Sequence, residues 1–192
     1  NDSIKGLETK AFLVPRSEQH QELGTDRYFG GIVYPNVASV DPARLHRGLL
    51  DRVIAADATV IPFNPALDIT KEGDGFRVTT NQGSIWAKEV IVASNGYTGS
   101  ATPWLRRRII PIGSYIIGTE PLTTGQMDRL IPKDRMVGDT RKMVFYYRSS
   151  PDRQRILFGG RVSHAETNPL VSGPKLHARM VDIFPELTKT RI

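Results

Sequence analysis

The chain has 192 residues, 39% of them hydrophobic and 24% charged, with a formal net charge of +6. Those proportions exclude a disordered or collagenous chain, and no apolar run approaches the ~20 residues of a membrane helix. Cysteine is absent, which excludes disulfides, thiolate metal sites, a cysteine nucleophile and iron–sulfur ligation, and suits a cytoplasmic location.

Residues 1–40 read as irregular, punctuated by Tyr28-Phe29-Gly30-Gly31. The first residue is Asn1 rather than Met, so an upstream segment is expected, and nothing at the start resembles a secretory signal. Asp41 and Pro42 then carry helix-start chemistry: a carboxylate for the free first-turn amides, and a residue whose missing N–H costs nothing there. Leu45, Leu49, Val53 and Ala56 follow at helical spacing, which predicts a helix over about 42–56. Thr59–Phe63 reads as a short apolar strand. Ala66–Thr70, Phe76–Thr80 and Ser84–Lys88 are separated by the turn-rich Lys71–Gly75 and by Asn81-Gln82-Gly83. Together they predict an antiparallel meander.

Val90–Ala93 is different, because its apolar residues do not alternate. That pattern marks a strand buried on both faces inside a parallel sheet. It ends in Ser94, Asn95 and Gly96, and ligands of open α/β sheets bind beyond such strand ends. The chain holds only one other candidate for a parallel neighbour, Thr59–Phe63, so the remaining strands are expected from elsewhere. Arg108–Glu120, broken by Pro111 and Gly113, reads as one long bent strand. Met143–Arg148 and Arg155–Arg161 flank a Pro151-Asp152 turn and predict a hairpin. Pro174 is expected to open a last helix carrying Leu176, Met180, Ile183 and Phe184, and Pro185 to stop it. The fold class is α+β.

Charge is uneven: residues 1–102 carry 10 Lys and Arg against 12 Asp and Glu, and residues 103–192 carry 16 against 8. A basic half suits an acidic ligand or partner. That leaves a non-catalytic basic binding module as the alternative to an enzyme. No basic helical stripe or nucleic-acid motif accompanies the charge, so nucleic-acid binding is not expected. There is no G-x-x-x-x-G-K-[ST] loop, no G-x-G-x-x-G turn and no H-E-x-x-H. His20, His46, His164 and His177 have no metal-pair spacing, so no metal site is expected. Two ligand candidates remain. One is the small-residue strand end at Ser94–Gly96. The other is a set of phenols and guanidinium groups, Tyr115, Tyr146, Tyr147, Arg148 and Arg161, suited to a polar substrate. In an alternating strand Tyr146 and Arg148 share one face and Tyr147 takes the other.

The order of these segments carries a resemblance. Tyr28–Gly31, Val40–Leu45, the meander, Val90–Gly96, Ile110–Leu122 and Arg155–Arg161 together resemble the middle of an FAD-dependent oxidoreductase of the D-amino-acid oxidase/glycine oxidase family. Within it, the likeness is to the gamma-glutamylputrescine oxidoreductase branch. The resemblance implies an antiparallel-sheet substrate domain over residues 1–40 and 103–192, and an incomplete piece of a Rossmann-like FAD domain over 41–102. It implies FAD as cofactor of the parent protein, and an amine or amino-acid substrate oxidised by hydride transfer to flavin. Ala66 resembles the segment meeting adenine, and Ser94, Asn95 and Gly96 the strand end against the cofactor. Tyr115, Tyr146 and Arg148 are expected to face substrate. No dedicated catalytic residue is implied. The family's glycine-rich pyrophosphate loop and its C-terminal segment over the flavin have no counterpart here. The chain is therefore expected to be an interior fragment that by itself neither holds FAD nor turns over.

Overall fold

Alternating apolar residues build the largest sheet. In the computed structural model, which describes residues 10–161 and 168–192, β6 (Tyr115–Gly118), β9 (Ile156–Gly160), β8 (Phe145–Ser149) and β7 (Val137–Gly138) lie side by side in that order, all antiparallel. Along β8, Phe145, Tyr147 and Ser149 are buried, while Tyr146 is exposed and Arg148 half-buried. Residues paired across antiparallel strands share a face. The register Ile117 to Phe158 to Tyr147 therefore defines one core face.

That face is covered by α4 (Pro169–Ile183), whose Leu176, Met180 and Ile183 are fully buried, and the core also takes in Met127 and Leu130 of α3 (Thr124–Leu130). Phe158 stacks on Phe145 and on Tyr147 with ring centres 5.6 and 5.5 Å apart, and Phe184 meets Tyr147 edge-on at 5.5 Å. Each such side chain contributes on the order of 1.5–3 kcal/mol by leaving water. The predicted hairpin around Pro151-Asp152 is present as β8–β9. Pro185 ends α4, as expected.

The chain divides into two compact units. One holds the residues up to Asp41 together with Gly113–Ile192, and the other is Pro42–Ile112. Residues 103–112, which the sequence grouped with the later half, fall in the second. This second unit contains α1 (Pro42–Ala55), the meander β3 (Ala66–Glu72), β4 (Gly75–Thr80) and β5 (Gly83–Ala87), and the short α2 (Pro103–Arg106). The helix and meander match the expectation. The tight β3–β4 turn needs a left-handed residue, supplied by Gly73 at φ 62°.

Five sequence expectations are corrected. Val90–Ala93 forms no strand, and Ile91 is 91% exposed. A strand exists only where its N–H and C=O groups find a ladder, and no described strand pairs with this one. Thr59–Phe63 is also irregular, with Phe63 at φ 56°. Only Tyr115–Gly118 of the long 108–120 strand is extended in a ladder, since Pro111 lacks an N–H and Gly113 weakens a strand. Residues 1–40 are not uniformly irregular, because β1 (Phe12–Pro15) and β2 (Gly30–Val33) pair as a two-stranded sheet. Finally, α4 starts five residues before Pro174: Asn168 caps it, accepting from the Leu170 N–H at 2.9 Å. Pro174 is exposed, so the helix loses one hydrogen bond there while the freed carbonyl can meet water. No helix among the described residues is long and apolar enough to cross a membrane.

Candidate functional site

The four-stranded sheet has a second face, opposite the core. Ile116, Tyr146, Arg148, Leu157 and Gly159 project there by the strand register. Ile116 is 63% exposed and Tyr146 37%. The Tyr146 ring lies over Gly159, where a Cβ would come within 2.2 Å of it. Any larger residue at 159 would push the phenol off the sheet. The Tyr146 hydroxyl bonds the Ser114 hydroxyl at 2.5 Å, and the Arg148 guanidinium donates to the Val40 carbonyl at 2.8 Å. One arm of that guanidinium is thus fixed. Its other N–H groups are geometrically suited to a carboxylate or carbonyl.

The sheet separates the residues expected to face substrate. Tyr146 and Arg148 share the open face, as the alternation predicted. Tyr115 sits opposite Gly160 and, through it, Phe145, so it belongs to the core face and packs against the core. Tyr147 is also in the core, its hydroxyl donating to Tyr28 at 3.1 Å. Burial and the neighbouring Tyr28 push the Tyr147 phenol far above the ordinary tyrosine range, so it stays protonated. Sequence reasoning missed Ser114, Ile116 and Gly159. Gly159 carried a signal, because a glycine at an alternating strand position marks close approach of another group.

In the second unit, Ser94 opens a single 3₁₀ turn, Asn95–Tyr97. The Thr98 hydroxyl donates to the Asn95 carbonyl at 2.7 Å. Its one proton being so used, the Ser94 hydroxyl must be the donor in its 2.8 Å bond to Thr98. Asn95 adopts φ 48°, and a Cβ at Gly96 would meet nothing within 4 Å. The approach to this turn is open. Ala66 is exposed at the start of β3, opposite Thr80. Ala66 and the Ser94–Gly96 turn lie in the same unit. Metal-ligating clusters are absent among the described residues; His164 lies outside them.

The segment order and the open turn can be set beside known proteins. Residues 4–192 match the model of the DAO family, described as FAD dependent oxidoreductase. The chain belongs to that family. It is 31% identical over 180 residues to the probable oxidoreductase OrdL of Rhizobium meliloti, covering 94% of this chain and 41% of that protein. It is 30% identical over 181 residues to the gamma-glutamylputrescine oxidoreductase of Escherichia coli, covering 94% and 42%. Among solved structures, glycine oxidase from Geobacillus kaustophilus superposes with a TM-score of 0.76 at 14% identity, covering 98% of this chain and 50% of that one. NikD, an amino acid oxidase of nikkomycin biosynthesis, gives 0.62 at 16% identity. These likenesses bear out the α+β fold. The chain spans about two-fifths of the length of the curated relatives it matches.

The described residues do not by themselves fit a whole dinucleotide. A pyrophosphate needs a glycine-rich turn opening a helix with free amides. The long helix of the second unit instead begins Asp41-Pro42, with a carboxylate beside the site and no N–H at the first helical position. The Ser94–Gly96 turn offers small residues and open backbone, which suits one edge of such a ligand.

Proposed function

We propose that this chain is the substrate-facing part, with an adjoining slice of the nucleotide domain, of a flavin-dependent oxidoreductase acting on an amine or amino acid. The observation that carries the reading is the open face holding Tyr146 and Arg148, in a chain of the FAD dependent oxidoreductase family. A carboxylate or carbonyl of substrate would lie against Arg148, already braced by Val40. The Tyr146–Ser114 hydroxyl pair would orient a neighbouring polar group, and Ile116 would line the apolar side. In this reading the first unit is the substrate domain. The second belongs to the nucleotide domain, with Ala66, Ser94, Asn95 and Gly96 toward the cofactor.

The experiment uses a form of the protein with the length of its relatives, loaded with FAD. Anaerobic mixing with a panel of amines and amino acids is followed by flavin bleaching. Arg148→Met should raise KM by about tenfold or more for carboxylate-bearing substrates, the scale of one charged hydrogen bond, and spare plain amines. No bleaching with any amine or amino acid would overturn the reading. An Arg148→Met variant indistinguishable on every substrate would remove Arg148 from it.

A further inference from the structure

A cleft of about 700 Å³ opens on the helix-covered side of the four-stranded sheet, where α4 meets the start of β8 and the end of β9. That volume is within the roughly 300–1,000 Å³ of small-molecule sites. Its floor is apolar: Met143, the ring of Phe145 and Ala178. Its walls carry five cations, Arg141, Lys142, Arg161, Lys175 and Arg179, and one carboxylate, Asp182. Phe145 points to the core face and Tyr146 to the open face, so the sheet stands between this cleft and the Tyr146–Arg148 surface.

Two of the cations are held in place. Asp139 accepts from the Phe145 N–H at 2.9 Å and pairs with Arg141 at 3.3 Å, and the Arg141 guanidinium sits 5.9 Å from the centre of the Phe145 ring. Arg179 pairs with Asp182 at 3.1 Å. Among the described residues no carboxylate is paired with Lys142, Arg161 or Lys175, and these converge on the cleft from the β8 approach, the end of β9 and α4. Cations gathered around an apolar floor with no paired carboxylate among the described residues make a setting in which a bound anion is favoured. A flat apolar body would cover Met143 and Phe145.

We infer that this cleft binds a small organic anion that combines a phosphate-type group with a flat apolar body. The charge meets the Lys142–Arg161–Lys175 wall and the body lies over Phe145, with the fixed Arg141 beside both. The site is separate from the proposed oxidation and does not depend on it.

The probe is 1-naphthyl phosphate, added to the 192-residue chain with its methyl groups observed by NMR. Saturable shifts of the Met143 and Ala178 methyls are expected. Inorganic phosphate should bind at least about tenfold more weakly, for want of the apolar contact, and so should neutral 1-naphthol, for want of the charge. Lys142 and Lys175 are exposed, so the double variant Lys142→Glu/Lys175→Glu should keep the fold, verified by circular dichroism, and lose binding by at least about tenfold. Arg148→Met, across the sheet, should leave binding unchanged. Equal affinity in the double variant would overturn the inference, as would methyl shifts confined to other residues. A glutamate-rich peptide that moves these methyls where naphthyl phosphate does not would also overturn it, in favour of an acidic protein partner.

Discussion

The two units of this chain treat their apolar residues in opposite ways. In the first, Phe158, Ile156, Met180 and Leu187 are wholly shielded from water. In the second, no hydrophobic side chain is buried: Leu45, Leu49 and Ile54 of α1 are 49%, 56% and 56% exposed, and Trp86 of the meander is 48% exposed. Yet α1 has as clear an amphipathic pattern as α4. The pattern alone makes a helix amphipathic; a packed face requires a second layer as well. We propose that the apolar faces of the second unit are written for further layers of a nucleotide domain, and Val90–Ala93 for a sheet that those layers would complete.

The contrast should break most visibly at the centre of the first unit. Phe158→Ala removes the ring that stacks on both Phe145 and Tyr147 and should cost about 3–5 kcal/mol. Leu49→Ala in α1 removes a side chain that is already 56% exposed and should stay within about 0.5 kcal/mol. Urea unfolding of both variants measures this, and comparable losses would mean that the second unit has a packed core after all. Hydrogen exchange gives the same contrast without mutation. Amides of Ile156–Gly160 should exchange slowly and those of Val90–Ser94 within the dead time.

Much of this architecture is legible in the chain, and the failures share a cause. The α1 helix, the meander and the β8–β9 hairpin are encoded by local spacing and turn residues, so they form as expected. Val90–Ala93 and Thr59–Phe63 have strand composition, but a strand is a relation to a neighbour. The helix α3 had a readable start that went unused: Thr123 and Gln126 form a reciprocal capping box. At the open face, the pairing of Tyr146 with Arg148 follows from alternation alone. The placement of Tyr115 on the core face does not, because it depends on which residue of β9 lies opposite, and that register is set by tertiary packing.

Glycines sharpen the comparison at a smaller scale. A Cβ on Gly24 would sit 1.8 Å from the backbone oxygen of Arg129, and the Gly24 N–H donates to Leu130 at 3.0 Å. Gly24→Ala should therefore destabilise the first unit by about 1–3 kcal/mol, the scale of overpacking. In the second unit, a Cβ on Gly48 of α1 would meet nothing within 4 Å. Gly48→Ala should stabilise that helix by roughly 0.5–1 kcal/mol through its better helix propensity. Opposite signs in thermal melts are the expected outcome. A destabilising Gly48→Ala would point to an unseen close contact on α1.

Capping gives the next smaller effect. Thr123 accepts from the Gln126 N–H at 3.3 Å, while the Gln126 side chain accepts from the Thr123 N–H at 2.9 Å. Thr123→Ala should cost about 1 kcal/mol. The loss is transmitted to the core because Met127 and Leu130 of the same helix are buried. Thr123→Ser should restore most of it, and a variant as unstable as the alanine would assign the loss to the threonine methyl instead.

The finest distinction between the units is electrostatic. The Glu22 side chain, 13% exposed, is paired with Lys133 at 2.7 Å and with Arg135. Burial pushes its carboxyl upward, but the bonds from Arg135 and Lys133 outweigh this and hold it below its ordinary 4.5. A carboxylate lowered on folding binds its proton more readily in the unfolded chain. Its contribution is complete above the ordinary value and is lost as pH falls through the lowered one. Glu22→Gln should thus weaken the first unit at neutral pH and lose that effect as acidification carries the pH down through the lowered value. In the second unit, Arg47 and Asp51 pair at 3.0 Å with 77% and 56% of their side chains exposed, so Asp51→Asn should change stability by less than about 0.5 kcal/mol. A Glu22→Gln penalty that stayed constant from neutral pH into acid would show that the carboxylate acts there through shape and not charge.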